Sequence, residues 1–263
     1  MNDIDNRFSA LTRVYGQDMT ERFRRLRVCV VGIGGVGSWA AESLARCGIG
    51  SLVLIDNDDI AETNINRQIH ALGSTLGQPK VEVMAQRIRD INPACDCRPV
   101  DDLLVTNNLA AHLDGGFDYV IDAIDNVRFK ADLIYYCKRN AIPVVTTGGA
   151  GGAVDPTAVQ VADLSKTWND PLAAKVRSRL RSEYGWTKNP RRRFGVDCVF
   201  STEQPLYPQA DGAIGHRKPG VKGVSLDCDR GYGSAVFVTA TFGMIAASCV
   251  INRSVRKWRR QQS

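Results

Sequence analysis

The chain contains no CxxC pair, so a zinc site of the paired four-thiolate type has no foundation and no structural zinc is expected. It also lacks the apolar core of a secretory signal, because the opening MNDIDNRFSALTRVYG is polar. The eight cysteines, several inside apolar runs, are therefore expected as free thiols in a reducing cytoplasm. There is no internal repeat and no low-complexity linker. Charged residues make up 24% and hydrophobic residues 44% of the 263 positions, which excludes disorder, collagen and coiled coil. Lys and Arg total 34 against 28 Asp and Glu. The resulting charge of +6 permits a polyanionic partner without demanding one.

What is present is an alternation of strand and helix signals over residues 1–150. Strands are predicted at Arg27–Val31, Ser51–Asp56, Cys95–Val100, Asp118–Ala123 and Pro143–Thr147. Helices are predicted at Trp39–Cys47, from Gly77-Gln78-Pro79-Lys80 to about Ile91, and at Phe129–Arg139. Strands apolar on both faces imply an α/β, Rossmann-like, mostly parallel sheet with helices on both faces. The whole of 1–263 is expected to form a single unit, with a strand–helix half at 1–150, a basic, loop-rich half at 151–252 and a basic tail at 253–263. In the second half Thr157–Leu164 reads as one more strand, Pro171–Tyr184 as a helix and Gln204–Gly223 as a long loop. Ala235–Ile251 is nearly all apolar or small. It reads as a buried helix closing the core, or as a membrane span slightly short of the usual length and flanked by a positive tail.

Gly32-Ile33-Gly34-Gly35-Val36-Gly37 lies between the first strand and the first helix of the alternation. Glycines there let a phosphate approach the backbone at a helix N-terminus. Asp56 ends the second strand, 19 residues after Gly37, where an acid reaches a ribose hydroxyl. A dinucleotide is the default ligand of such a turn. A triphosphate wants side-chain cations and a metal as well, and Arg67 and Lys80 offer the cations. Pro79 suits the first helical position, which sets Lys80 in the first turn, against the positive end of the dipole. Asp122 and Asp125, at the end of the fourth strand, can hold Mg2+ against phosphates. Asp122 can equally take a helix-capping or core-edge role, and Asp125-Asn126 can equally be a helix cap.

In order, GxGGxG, Asp56-Asn57-Asp58, Asn64-x-x-Arg67-Gln68, Gly77-Gln78-x-Lys80 and Asp122-x-x-Asp125-Asn126 resemble the ubiquitin-activating-enzyme-like adenylation family. The resemblance implies ATP, Mg2+, transfer of AMP to a carboxylate, and a homodimer. It implies that Gly32, Gly34, Gly35, Gly37, Asp56 and Asp58 line the nucleotide. Asn64, Arg67, Gln68 and Lys80 would grip phosphates, and Asp122, Asp125 and Asn126 would lie at the metal, with Asp125 its ligand. Arg13, with Arg7 as second choice, would reach into the partner's site. The catalytic set is then Arg13, Arg67, Lys80 and Asp125. The missing CxxC pairs, the opening RFSALTRVYG and the segment Arg193–Glu203 resemble one branch most closely, the tRNA threonylcarbamoyladenosine dehydratases. That branch implies cyclisation of a threonylcarbamoyl group beside the tRNA anticodon. Basic clusters at Arg177–Arg193 and Arg253–Arg260 fit an RNA partner, and Trp186 and Trp258 could stack on bases. The alternatives are adenylation of a ubiquitin-like sulfur carrier, or a nucleotide-sensing module that docks on tRNA or a sulfur-transfer partner such as a cysteine-desulfurase system. Cys198 and Cys228 are the thiols that a sulfur-transfer role would use.

Overall fold

A computed structural model describes residues 6–209, 211–217 and 233–262. Two short helices, α1 (Ser9–Tyr15) and α2 (Gln17–Phe23), precede the sheet. Its strands are β1 (Arg27–Val31), β2 (Ser51–Asp56), β3 (Asp96–Asp101), β4 (Tyr119–Asp122), β5 (Val144–Thr147), β6 (Val159–Asp163) and β7 (Asp197–Ser201). They lie in the order β3-β2-β1-β4-β5-β7-β6. Every neighbouring pair is parallel except β6 with β7. Two further short strands, β8 (Tyr207–Pro208) and β9 (Ile214–Gly215), pair with each other outside this sheet.

The strand residues alternate between two cores. Val28 and Val30 of β1 enter one, with α3 (Gly37–Arg46) and α4 (Lys80–Ile91). Cys29 and Val31 enter the other, which contains residues of α5 (Leu109–Leu113), α6 (Val127–Arg139) and α7 (Pro171–Glu183). Both faces are thus covered, as a parallel sheet requires. Buried Glu42 accepts from Arg46 and from Arg87, each at 2.7 Å, and so ties α3 to α4.

The final helix, α8 (Val236–Gln262), completes the first core. Val238, Phe242, Ala246, Ala247, Val250 and Ile251 are buried there. A Cβ on Gly243 would stand 2.4 Å from the Val36 carbonyl oxygen and 2.8 Å from the Ala40 nitrogen. Only glycine lets α8 cross the start of α3 this closely. By length and composition α8 could cross a membrane, yet half of its most apolar stretch is buried within the fold.

Four expectations are revised. The basic tail continues α8 instead of leaving the fold, because Val255 is buried and Trp258 packs on the first core. Residues Asp197–Ser201 form an internal strand. Pro79 is the residue before α4, with extended ψ, so Lys80 opens the helix. Trp186 and Trp258 are held against Phe194 and Phe23, with ring centroids 4.7 and 6.0 Å apart. Both rings are thus committed to packing within the chain.

Candidate active site

The strand order reverses direction between β1 and β4, and ligands of open α/β sheets bind outside the carboxyl ends at such a point. The glycine turn follows β1, and Asp125 follows β4. Gly32 has φ of 85° and its N–H donates to the Ile55 carbonyl at 2.9 Å. A Cβ on Gly37 would lie 1.7 Å from the Gly32 carbonyl oxygen, so the tight turn requires glycine there. At Gly34 the nearest atom to such a Cβ is Gln68 Nε2 at 3.9 Å, which leaves that side of the turn open to a phosphate.

Asp56 ties the turn to the end of β2. Its carboxylate accepts from the Ile33 N–H at 2.5 Å and from the Asp58 N–H at 2.9 Å. Burial raises its pKa, against the pull of Lys80 and of those two N–H groups. Lys80 is 5% exposed, and its Nζ donates to Asp58 Oδ2 at 2.6 Å. A solvated lysine at this position is therefore not what the fold makes. The ammonium is held under the crevice by Asp58, whose own side chain is open to water.

Arg67 donates to the Thr63 carbonyl at 2.7 Å and to Asn66 Oδ1 at 3.0 Å, and its own carbonyl accepts from Trp39 Nε1 at 3.0 Å. Its side-chain stem lies beside Gly35. Asn64 is buried and accepts from the Ala61 N–H at 3.1 Å. Gln68 is also buried, and its Oε1 has no hydrogen-bond partner among the described residues. The geometry therefore sets Gln68 beside the glycine turn and Arg67 against it.

The two aspartates after β4 part ways. Asp122 is fully buried. Its Oδ2 accepts from Thr146 Oγ1 at 2.6 Å and pairs with Lys130 Nζ at 3.0 Å, and its Oδ1 accepts from the Ile124 N–H. This carboxylate braces the sheet from inside and does not face a ligand, which corrects its expected place at the nucleotide. Asp125 is exposed. Asn126 is the cap of α6, accepting from the N–H groups of Arg128 and Phe129 at 3.0 and 3.2 Å.

At the amino end, Arg7 donates to the carbonyls of Asp90 and Ile91 at the end of α4. Arg13 is exposed on α1, next to Val14, which is 73% exposed. Of the two arginines considered for a partner's site, the fold thus spends Arg7 on helix capping. Cys198 is fully buried in β7, and burial pushes its thiol far above the ordinary range. Nucleophilic thiols need the opposite environment, so Cys198 is a buried thiol and is not placed for sulfur transfer. Cys228 lies outside the described residues.

His70 is a feature that sequence reasoning missed. It is 2% exposed, and neither ring nitrogen has a hydrogen-bond partner among the described residues. Burial, then the charges of Lys80 and Arg87, push its pKa down to about 4 from 6.5. The unfolded chain therefore takes up a proton between pH 6.5 and 4 that the fold refuses. This lowers stability as the pH falls through that window, by about 2 kcal/mol at pH 5. Urea melts at pH 7 and pH 5 should show that loss in the wild type and a much smaller one in His70→Gln. Equal losses in both proteins would remove His70 as the cause.

The ThiF family matches residues 7–253. The chain is 55% identical to the tRNA threonylcarbamoyladenosine dehydratase of Escherichia coli K12 over 256 residues, covering 97% of this chain and 96% of that protein. It is 49% identical to the Haemophilus influenzae protein of the same name, covering 98% and 96%. The molybdopterin-synthase adenylyltransferase of Escherichia coli is 37% identical and covers 52% of this chain and 54% of that protein. Among solved structures, the Escherichia coli dehydratase in complex with ATP superposes with a TM-score of 0.87 at 52% identity, covering 98% of this chain and 97% of that one. The same enzyme in complex with AMP gives a TM-score of 0.86 at 50% identity, covering 97% and 96%. With a glycine turn at the switch point of a parallel sheet and a match that runs almost from end to end, the chain belongs to the ThiF family.

Proposed function

We propose that this chain catalyses the ATP-dependent dehydration of threonylcarbamoyladenosine in tRNA. The observation that carries this reading is a match to dehydratases over almost the full length of the chain, with a glycine turn at the β1/β4 switch point and Arg67 beside it. The glycine turn and the start of α3 receive the phosphates, and Asp56 stands at the ribose. Arg67 and Lys80 lie where charge develops on the α-phosphate, and fixed cations there stabilise the transition state. Asp125 is the carboxylate in position to hold Mg2+, which would neutralise the phosphates and is satisfied by one or two carboxylates plus substrate oxygens.

A threonyl carboxylate oxygen attacks the α-phosphorus, and the bond to the bridging oxygen breaks to release pyrophosphate. The carbamoyl group then attacks the activated acyl carbon and gives up one N–H proton to solvent. The acyl–oxygen bond breaks and AMP leaves with the former carboxylate oxygen. The sum is loss of one water from the nucleoside.

The test is a nucleoside mass spectrum after the pure protein, ATP and Mg2+ act on tRNA carrying the linear modification. Loss of one water that requires ATP supports the reading. An unchanged nucleoside spectrum overturns it.

The active unit is proposed to be a homodimer in which Arg13 serves the partner's crevice. Arg13→Ala and Lys80→Ala should each be inactive alone. After mixing and exchange they should recover about a quarter of wild-type activity, since half the dimers are mixed and each has one intact site. Mixtures without activity would show that Arg13 does not act across subunits.

A further inference from the structure

A shallow, wide-open pocket of about 320 Å³ lies between the start of α7 and the β8–β9 hairpin. Asn169, Arg177, Gln204, Tyr207 and His216 line it, with Pro171, Pro205 and Ala174 as apolar wall. None of these residues belongs to the phosphate crevice. The cavity nevertheless lies on the same edge of the sheet. The Asp170 carboxylate, in its floor, accepts from the Gly149 N–H at 3.0 Å just after β5 and from the Ala173 N–H at 2.8 Å in α7. Gln204 follows β7, which runs parallel to β5. From β1 to β7 is three strand spacings, about 14 Å. That is the reach of a group attached to a substrate whose other end lies at the glycine turn.

The lining chemistry suits a nucleobase. Asn and Gln amides read base edges, and Tyr, His and Arg planes stack on unpaired bases. The volume matches one nucleoside, at the small end of ligand pockets. His216 Nδ1 donates to the Pro205 carbonyl at 3.2 Å, which leaves Nε2 of the neutral ring as an acceptor. Asn169 has φ of 55°, a conformation uncommon outside glycine, and its amide donates to the Thr202 carbonyl at 2.8 Å. Next to it Trp168 is 48% exposed with its edge against Phe200, an aromatic surface left on the rim. Exposed Lys175 and Arg191, Arg192 and Arg193 lie nearby in sequence, on α7 and the segment after it. They supply the charge that a phosphate backbone requires.

We propose that this cavity takes one unstacked base of the RNA substrate, so that the neighbouring crevice receives the carboxylate to be activated. The inference rests on the dehydratase reading and adds to it the place where the RNA is held. Ala174→Trp fills the cavity from an exposed position on α7, and Gln204→Ala removes a base-reading amide from an exposed loop. Both should melt as the wild type does. Each should raise KM for a modified anticodon stem-loop about tenfold and leave KM for ATP within about twofold. Abasic substitution at one loop position should weaken the wild type to a similar extent and add nothing to Ala174→Trp. Unchanged RNA KM in an active enzyme overturns the pocket, as does a change confined to ATP. A wild-type protein that dehydrates nothing overturns the parent reading, and the pocket with it.

Discussion

Lys80→Ala should lower ATP-dependent dehydration by about two to three orders of magnitude, the effect of deleting one fixed donor to a developing oxyanion. Its thermal midpoint should move by only a few degrees, because relief of the helix-dipole cost offsets the lost attraction of Lys80 to Asp58 and to buried Asp56. Lys80 opens α4, where a cation opposes the helix dipole at a cost of about 0.3–1 kcal/mol. Removing it relieves that cost, and Asp58, left behind, is already in water. Asp125→Ala should match the loss of activity, again without unfolding, because the side chain is exposed. The measurements are pyrophosphate release and a melt on the same samples. Near-normal turnover in either variant would remove that residue from the phosphate site.

Breaking the Asp122–Lys130 pair should do the reverse, with stability as the main casualty. Both side chains are fully enclosed, and Lys130 also donates to the carbonyls of Asp122 and Ile124 at 3.2 and 2.8 Å. Lys130→Met strands a buried carboxylate that desolvation already pushes toward its neutral form. Loss of one partner of such a pair costs about 3–5 kcal/mol, or roughly 10 °C for a chain of this size. The double change Asp122→Asn with Lys130→Met should recover most of that, since no uncompensated charge remains. A single variant as stable as the wild type would show that the pair is not the brace between β4 and α6. So would a double variant no better than the sum of the singles.

The nucleotide half was legible because its signals are local. Arg27–Val31 and Ser51–Asp56 are apolar runs ended by a glycine turn and an acid, and both strands have those limits. The glycine turn and Asp125 follow the ends of β1 and β4, which the apolar runs mark, whereas the roles expected of Asn64, Arg67, Gln68 and Lys80 came from the family resemblance. What escaped depends on distant partners. Asp122 and Asp125 have the same side chain three residues apart, and only the packing of Thr146 and Lys130 turns the first inward. Asp197–Ser201 becomes a strand because β5 and β6 flank it, far away in sequence. The N-terminal helices are short and separated by Gly16, so neither shows a full amphipathic period. Arg253–Arg260 looks like a solvated tail until Arg253 is seen paired with Asp197, and Trp258 on Phe23.

The crossing at Gly243 has a consequence for where this protein can work. The face of α8 that backs the phosphate-binding helix is the same face that a lipid bilayer would claim. Val238, Phe242, Val250 and Ile251 cannot be shared between the two solvents. Withdrawing them would forfeit on the order of 10 kcal/mol of burial, as much as an ordinary domain has in reserve. It would also take away the wall against which Val36 and Ala40 rest. A copy that threads this helix through a membrane would give up the packing of α8 against the start of α3.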